Sequence, residues 1–302
     1  MYKQNSVINN SFSYLLASKV KDYFQLIKFT LSFMVVFSCI VCYLLAPNIR
    51  FNLSSVLLLF IAGMLITGSA NAINQAVEKD TDALMKRTSN RPVASGRMTE
   101  KEAFTFAFVT GFTGAIIMWQ WFNLSSAIIG LFSLFLYAFI YTPLKKINSI
   151  AVLVGAFPGA LPCLIGWVAA TNEFSIGGWI LFAIQFLWQF PHFWAIAWVA
   201  HKDYSNAGFK LLPSDKGPTK FTALQTVMYS MLMIPVGMLP YYFGLSGVIS
   251  LWIILLCNIY MVFVSVNLFI KMNIPSARRV MFSSYFYLMI VFLAMLFDKV
   301  RV

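Results

Sequence analysis

The chain has 302 residues, 60% of them hydrophobic and only 11% charged, with a net charge of +12 and a mean hydropathy of +0.78. This composition excludes a soluble globular domain, and because no separate polar domain carries the basic residues, it excludes a nucleic-acid-binding module as well. Cys39, Cys42, Cys163 and Cys257 all fall in apolar stretches, so nothing implies a disulfide framework, and the CxxC of Cys39 and Cys42 reads as two small packing residues.

Residues 1–27 contain no continuous apolar core and no arginine, which fits neither a cleaved signal nor a transit peptide. They are expected to form a cytoplasmic or interfacial segment, with a short helix presenting Val20, Tyr23, Phe24 and Ile27 on one face. Residues 28–302 then form one transmembrane domain. Nine apolar segments follow in it, at about 29–46, 55–78, 103–122, 125–143, 149–170, 177–199, 222–243, 247–270 and 280–297. Each approaches the roughly 20 residues that cross a bilayer as a helix. Strand-like alternation is absent, and backbone groups in lipid must be satisfied within their own segment, so the fold class is all-α: a polytopic bundle of nine transmembrane helices.

Charge orients the bundle. Lys3, the lysines around residue 20, and the loops after spans 2, 4, 6 and 8 carry 19 of the 22 lysines and arginines, whereas Arg50, Lys299 and Arg301 fall on the other side. That bias places the amino terminus and those loops in the cytoplasm and the carboxyl terminus outside; the expected location is the inner membrane of a bacterial cell.

The end of the second span is unusually polar. Asn74, Glu78 and Asp82 recur at i, i+4 and i+8, within about 80° of helix circumference, so they share one face. Asn71 extends that stripe inward, and Asp80 points elsewhere, towards Lys79 or Lys86. A polar stripe on a membrane span faces a cavity or a partner in preference to lipid. Oxygen-only donors suit a hard cation such as Mg²⁺, although a carboxylate cluster alone also serves Ca²⁺ or proton relay. The stretch "LMKRTSNRPVASGRMT" then brings Lys86, Arg87, Arg91 and Arg97 close behind Asp82. Carboxylates for a cation followed by guanidinium forks for phosphate make a metal–phosphate layout; Arg97 and Lys101 read as membrane-side anchors. The loop after span 6, "HKDYSNAGFKLLPSDKGPTK", repeats the theme with Asp203 between Lys202 and Lys210. Two acid–base loops four spans apart imply two repeats of four helices with one pocket between them.

The pattern NxxxExxxDxxMxRTxNRP, from Asn74 to Pro92, resembles the first aspartate-rich motif of the UbiA superfamily of intramembrane prenyltransferases. "YTPLKKINSIAVLVGAFPGALPCLIGW" and "QFPHFWAIAWVAHKDYSNAGFKLLP" resemble later signatures of its heme O synthase branch, and the likeness runs from about residue 25 to 295. Two departures are visible: glutamate stands at Glu78 where the superfamily has aspartate, and the second acidic motif is reduced to Asp203. The resemblance implies transfer of a farnesyl group from farnesyl diphosphate to heme B, with a heme A synthase or oxidase-assembly partner downstream. It implies Mg²⁺ held by Asn74, Glu78 and Asp82, with Asp203 at a second position. Catalysis would fall to Asn74, Glu78, Asp82, Arg87 and Arg91, and substrate contacts to Lys86, Tyr141, Lys145, Lys146, Lys202, Asp203 and Tyr204.

Given a heme substrate, His192 is the candidate axial ligand, because imidazole is the usual iron ligand; His201, nearer the loop, is expected to be solvated or to meet a propionate. Two other readings stay open at this point. One is a prenyltransferase with a quinone-type acceptor. The other is a transporter, for which helices broken at Pro158, Pro162 and Pro191 would be at home.

Overall fold

The structure, a computed structural model, describes residues 16–214 and 216–300; the expectations for residues 1–15, with Lys3, and for Arg301 lie outside the described residues. Within that range every regular element is helical, apart from one isolated bridge between Ser246 and Lys299. Helix α1 (Leu16–Leu26) meets α2 (Phe29–Leu45) at a 51° bend. Lys28 forms the corner in the left-handed region, with φ 49 and ψ 58. There follow α3 (Leu53–Val77), the short α4 (Lys79–Ala83), α5 (Glu100–Trp121) and α6 (Leu124–Phe135), which continues as a π-helical turn over Leu136–Tyr141 into α7 (Thr142–Leu144). The second half comprises α8 (Ala151–Thr171), α9 (Ile176–Val199), α10 (His201–Asn206), α11 (Lys220–Tyr242), α12 (Val248–Lys271) and α13 (Ile274–Phe297). Eight of these spans are long and apolar enough to cross a membrane alone, and the bent α1–α2 pair makes the ninth.

The chain marks its own helix starts. Asn52, Thr99, Asn123, Thr219 and Asn273 each accept a hydrogen bond from the amide three residues on, satisfying one of the free donors of the first turn. The Asn273 cap, with Pro275 in the first turn, starts α13 at Ile274. The last span therefore begins six residues before the expected 280, and Arg278 and Arg279 belong to the helix.

Packing follows the expected repeat. α2 packs on α3, α3 on α5 and α5 on α6; likewise α8 packs on α9, α9 on α11 and α11 on α12. The two arrays meet where α2 crosses α8 at Gly166, which has no room for a side chain, since a Cβ there would overlap the Cys39 carbonyl. α13 closes the ring by packing on α9, α12 and α2. Cys39, Cys42 and Cys163 are buried free thiols in this core. Lys299 Nζ donates to the carbonyls of Leu44 and Ala46, placing a cation on the otherwise unpaired end of α2.

The helices do not break at their prolines, contrary to the expectation for Pro158, Pro162 and Pro191: α8 and α9 run through all three. A neighbour supplies one hydrogen bond that the helix loses. Pro162 cannot donate to the Pro158 carbonyl, and Ser133 Oγ does so at 3.2 Å. Gln185 Nε2 and Gln189 Nε2, from α9, also donate to α8, to the Gly159 and Ala156 carbonyls at 2.7 and 2.9 Å. Between the two arrays this leaves one cavity of about 1030 Å³, whose lining includes residues of the loops after α4, α7 and α10.

Candidate active site

At the loop end, α3 stops at Val77 and Glu78 leaves helical geometry, with φ −96 and ψ 12. The i to i−4 bonds nevertheless continue, from Glu78 N to Asn74 O at 3.0 Å and from Asp82 N to Glu78 O at 2.7 Å. Asn74, Glu78 and Asp82 therefore keep a common face across the break, all three are buried, and all three line the cavity.

Each of the three has a basic partner. Lys28 Nζ donates to Asn74 Oδ1 at 2.7 Å, which turns the Asn74 amide towards Glu78 Oε2 (2.8 Å) and Thr142 Oγ1 (3.2 Å). Lys145 Nζ lies 2.6 Å from Glu78 Oε1 in a buried ion pair. Arg91 Nη1 bonds both oxygens of Asp82, and Thr88 Oγ1 donates to the Asp82 carbonyl, holding the loop against the helix end. Burial pulls the Lys145 ammonium below the ordinary lysine range, with the Glu78 carboxylate opposing.

Aromatic rings stand behind the charges. The π-helical turn places both Tyr137 and Tyr141 on the cavity, with ring centroids 5.4 Å apart. Such turns recur at functional sites. Gly155 makes room for Tyr141, since a Cβ at that position would come within 2.6 Å of its ring. Lys145 Nζ sits 4.9 Å from the Tyr141 centroid and 5.2 Å from that of Phe209. From the loop after α9, Tyr204 accepts from Arg87 Nη2 at 3.2 Å. Burial raises the Tyr204 phenol, against the opposing pull of Arg87.

Of the residues singled out in the sequence, Asn74, Glu78, Asp82, Arg87, Arg91, Tyr141, Lys145, His192 and Tyr204 line the cavity. Lys86, Lys146, Lys202 and Asp203 lie outside its lining, and so does His201, which packs against Gly217. Asp203 joins no carboxylate cluster, for among the described residues no three His, Cys, Asp or Glu side chains are grouped closely enough to hold a metal. Lys79 pairs with Glu100 at 3.0 Å, and Asp80 is left exposed. Arg97 does more than anchor: its Nε bonds the buried Asp22 at 2.9 Å and its Nη2 reaches Gln25, tying α1 to the loop. The buried side of α1 is accordingly Asp22 and Leu26, while Val20 and Phe24 remain exposed.

The family model described as the UbiA prenyltransferase family matches residues 35–294. The chain belongs to the UbiA prenyltransferase family. Among its relatives, the protoheme IX farnesyltransferase of Cytophaga hutchinsonii is 44% identical over 94% of this chain and 100% of that protein. The protoheme IX farnesyltransferase of Flavobacterium psychrophilum is 42% identical over 92% and 94%. Solved structures share the fold: a digeranylgeranylglyceryl phosphate synthase at TM-score 0.77 and 21% identity, covering 94% of this chain and 100% of that one. A UbiA homologue from Archaeoglobus fulgidus bound to DMAPP and Mg²⁺ matches at TM-score 0.67 and 13% identity, covering 89% and 99%. Membership in this prenyltransferase family settles the class in favour of an enzyme and sets the transporter reading aside. Within the family member described here, Lys28, Tyr137, Trp188 and Tyr285 also line the cavity without having been singled out. Lys28 carried no local signal, because its contact with Asn74 spans 46 positions. The register of Tyr137 and Tyr141, at i and i+4, was visible but indistinguishable from ordinary packing.

Proposed function

We propose that this chain transfers the farnesyl group of farnesyl diphosphate to a vinyl carbon of heme B, releasing diphosphate and forming heme O for heme–copper oxidase biogenesis. The observation that carries this reading is one continuous cavity lined both by Asn74, Glu78, Asp82, Arg87, Arg91 and Lys145 and by His192. At about 1030 Å³ it stands at the top of the range for a single small-molecule site, as a two-substrate reaction requires. The named farnesyltransferases, alike over nearly the whole chain, support heme as the acceptor.

The polar end suits a diphosphate. Five cations, Lys21, Lys28, Arg87, Arg91 and Lys145, line the cavity against two carboxylates. Oxygen donors from Asn74, Glu78 and Asp82 fit Mg²⁺, which takes few protein ligands and completes its shell with phosphate and water. When bound there, Mg²⁺ neutralises charge on the leaving diphosphate. The chain's own part is to place guanidinium and ammonium groups where that charge develops as the allylic C–O bond breaks. Tyr137 and Tyr141 line the cavity next to the carboxylates and help keep bulk water from the cationic farnesyl carbon until the vinyl group attacks it. Water then adds to the heme-side cation and loses a proton, leaving a hydroxyethylfarnesyl substituent. In this reading His192, which also lines the cavity, serves as the iron ligand.

In this reading the loop end faces the cytoplasm of a bacterium and the carboxyl terminus faces outward. The farnesylated product is retained in the bilayer, so a membrane protein such as a heme A synthase or an oxidase-assembly partner would receive it. Membranes containing this chain, incubated with labelled farnesyl diphosphate, Mg²⁺ and heme B, should yield labelled heme O. Label found on a quinone, or no transfer to porphyrin, would refute the assignment.

A further inference from the structure

His192 is held by neighbours on two helices, α9 and α13. Its ring stacks on Trp188, with centroids 4.7 Å apart and planes at 18°, and the Tyr285 ring meets it edge-on at 5.1 Å. Its Nδ1 lies 2.7 Å from Ser284 Oγ, across from α9 to α13. Ser284 is fully buried and has a second contact: its Oγ is 2.6 Å from the Met281 carbonyl. The Ser284 carbonyl also accepts the Trp188 indole N–H at 2.8 Å, so one residue fixes both the imidazole and the ring stacked on it.

The direction of these bonds follows from proton counting. A hydroxyl has one proton, and a carbonyl can only accept. At 2.6 Å the Ser284 proton must lie towards Met281, because two lone-pair oxygens that close would repel. Ser284 Oγ then has only lone pairs to offer His192, so Nδ1 carries the proton. Neutral imidazole has one N–H, which leaves Nε2 as the bare nitrogen; among the described residues Nε2 makes no hydrogen bond, and His192 lines the cavity.

We infer that Ser284 is a positioning residue that fixes His192 in the Nδ1–H tautomer and so presents the Nε2 lone pair to the iron of the porphyrin substrate, an inference that rests on the heme reading above. The Met281 carbonyl is the anchor of this relay. An acceptor on the N–H of a metal-bound imidazole fixes its tautomer and raises its basicity as a ligand.

The experiment uses the full chain in detergent, titrated with heme B and followed by the Soret band. Resonance Raman of the ferrous complex reads the iron–imidazole stretch. Ser284→Ala is expected to bind heme about 10- to 100-fold more weakly and to lower the stretching frequency, because the N–H loses its acceptor. Ser284→Thr, which keeps the hydroxyl, should restore both. Ser284→Cys, of similar size but a poor acceptor, should shift the stretch in the same direction and stands in for Ser284→Ala if that variant does not fold. Binding of farnesyl diphosphate, which uses other groups, identifies the folded variants. If His192→Ala loses the ligand band while Ser284→Ala keeps wild-type affinity and frequency, the tautomer role is wrong and the ligand role survives. If His192→Ala leaves the heme spectrum unchanged, the ligand reading falls, and the role of Ser284 with it.

Discussion

Arg91 holds both carboxylate oxygens of Asp82 with a single nitrogen: Nη1 lies 2.8 Å from Oδ1 and 2.7 Å from Oδ2. Its Nε and Nη2 have no hydrogen-bond partner among the described residues, so the guanidinium can orient the carboxylate and still offer a fork to a phosphate. Lysine at this position could do one or the other. Arg91→Lys should therefore lower turnover about 10²-fold, the order of losing one fixed donor to a developing anion, with the protein still inserted. Assays at saturating farnesyl diphosphate check this, and near-normal turnover would place the phosphate fork elsewhere.

Asp82→Ala should abolish transfer while leaving the membrane-inserted yield unchanged, because it removes a carboxylate from the face shared with Asn74 and Glu78. The measurement is activity across a Mg²⁺ titration. Recovery of near-normal turnover at saturating Mg²⁺ would remove Asp82 from the cation site.

The Glu78–Lys145 pair yields a pH signature. Burial depresses the folded-state value of Lys145 below the ordinary 10.5, and Glu78 limits the depression. Between the two values the unfolded chain holds the extra proton, so this residue makes stability rise with pH across that window. Glu78→Gln removes the opposing charge and extends the window downward. The temperature of thermal inactivation in detergent should then rise more steeply with pH in Glu78→Gln than in wild type; parallel profiles would show that the pair is not coupled.

Gly155→Ala tests the aromatic wall. A methyl group there would meet the Tyr141 ring at 2.6 Å, and overpacking of this kind costs about 1–3 kcal/mol. We expect at least a tenfold fall in kcat/KM for farnesyl diphosphate. Heme affinity at His192 should change little; an equal loss of both would indicate general collapse of the cavity.

Arg97 provides the contrast with Arg91 in the same loop. Arg97→Ala leaves the buried Asp22 carboxylate without its partner, a loss of about 1–3 kcal/mol. The midpoint of thermal unfolding should fall and protease should cut α1 more readily, while turnover at low temperature stays within a few-fold of wild type. Loss of turnover with unchanged stability would instead place Arg97 at the substrate.

Much of this protein was legible before any coordinates. Hydropathy alone set nine helical spans, because lipid leaves the backbone no other way to satisfy itself, and a four-residue spacing put Asn74, Glu78 and Asp82 on one face, where they remain across the break at Glu78. The RTxNRP stretch pointed to Arg87 and Arg91, which line the cavity. Local spacing could not tell which charges would be left over. Lys79 was drawn to Glu100 and Arg97 to Asp22, partners 21 and 75 positions away. Nor could it show that Asp203 would lie outside the cavity lining, that Lys28 would turn at a helix corner to reach Asn74, or that Ser133 of another helix would bond the Pro158 carbonyl that Pro162 cannot reach. Periodicity along a chain records which face a residue occupies on its own helix. The choice of partner across helices, and with it the tautomer of His192, arises only when α9 and α13 pack and a buried serine has one proton to give.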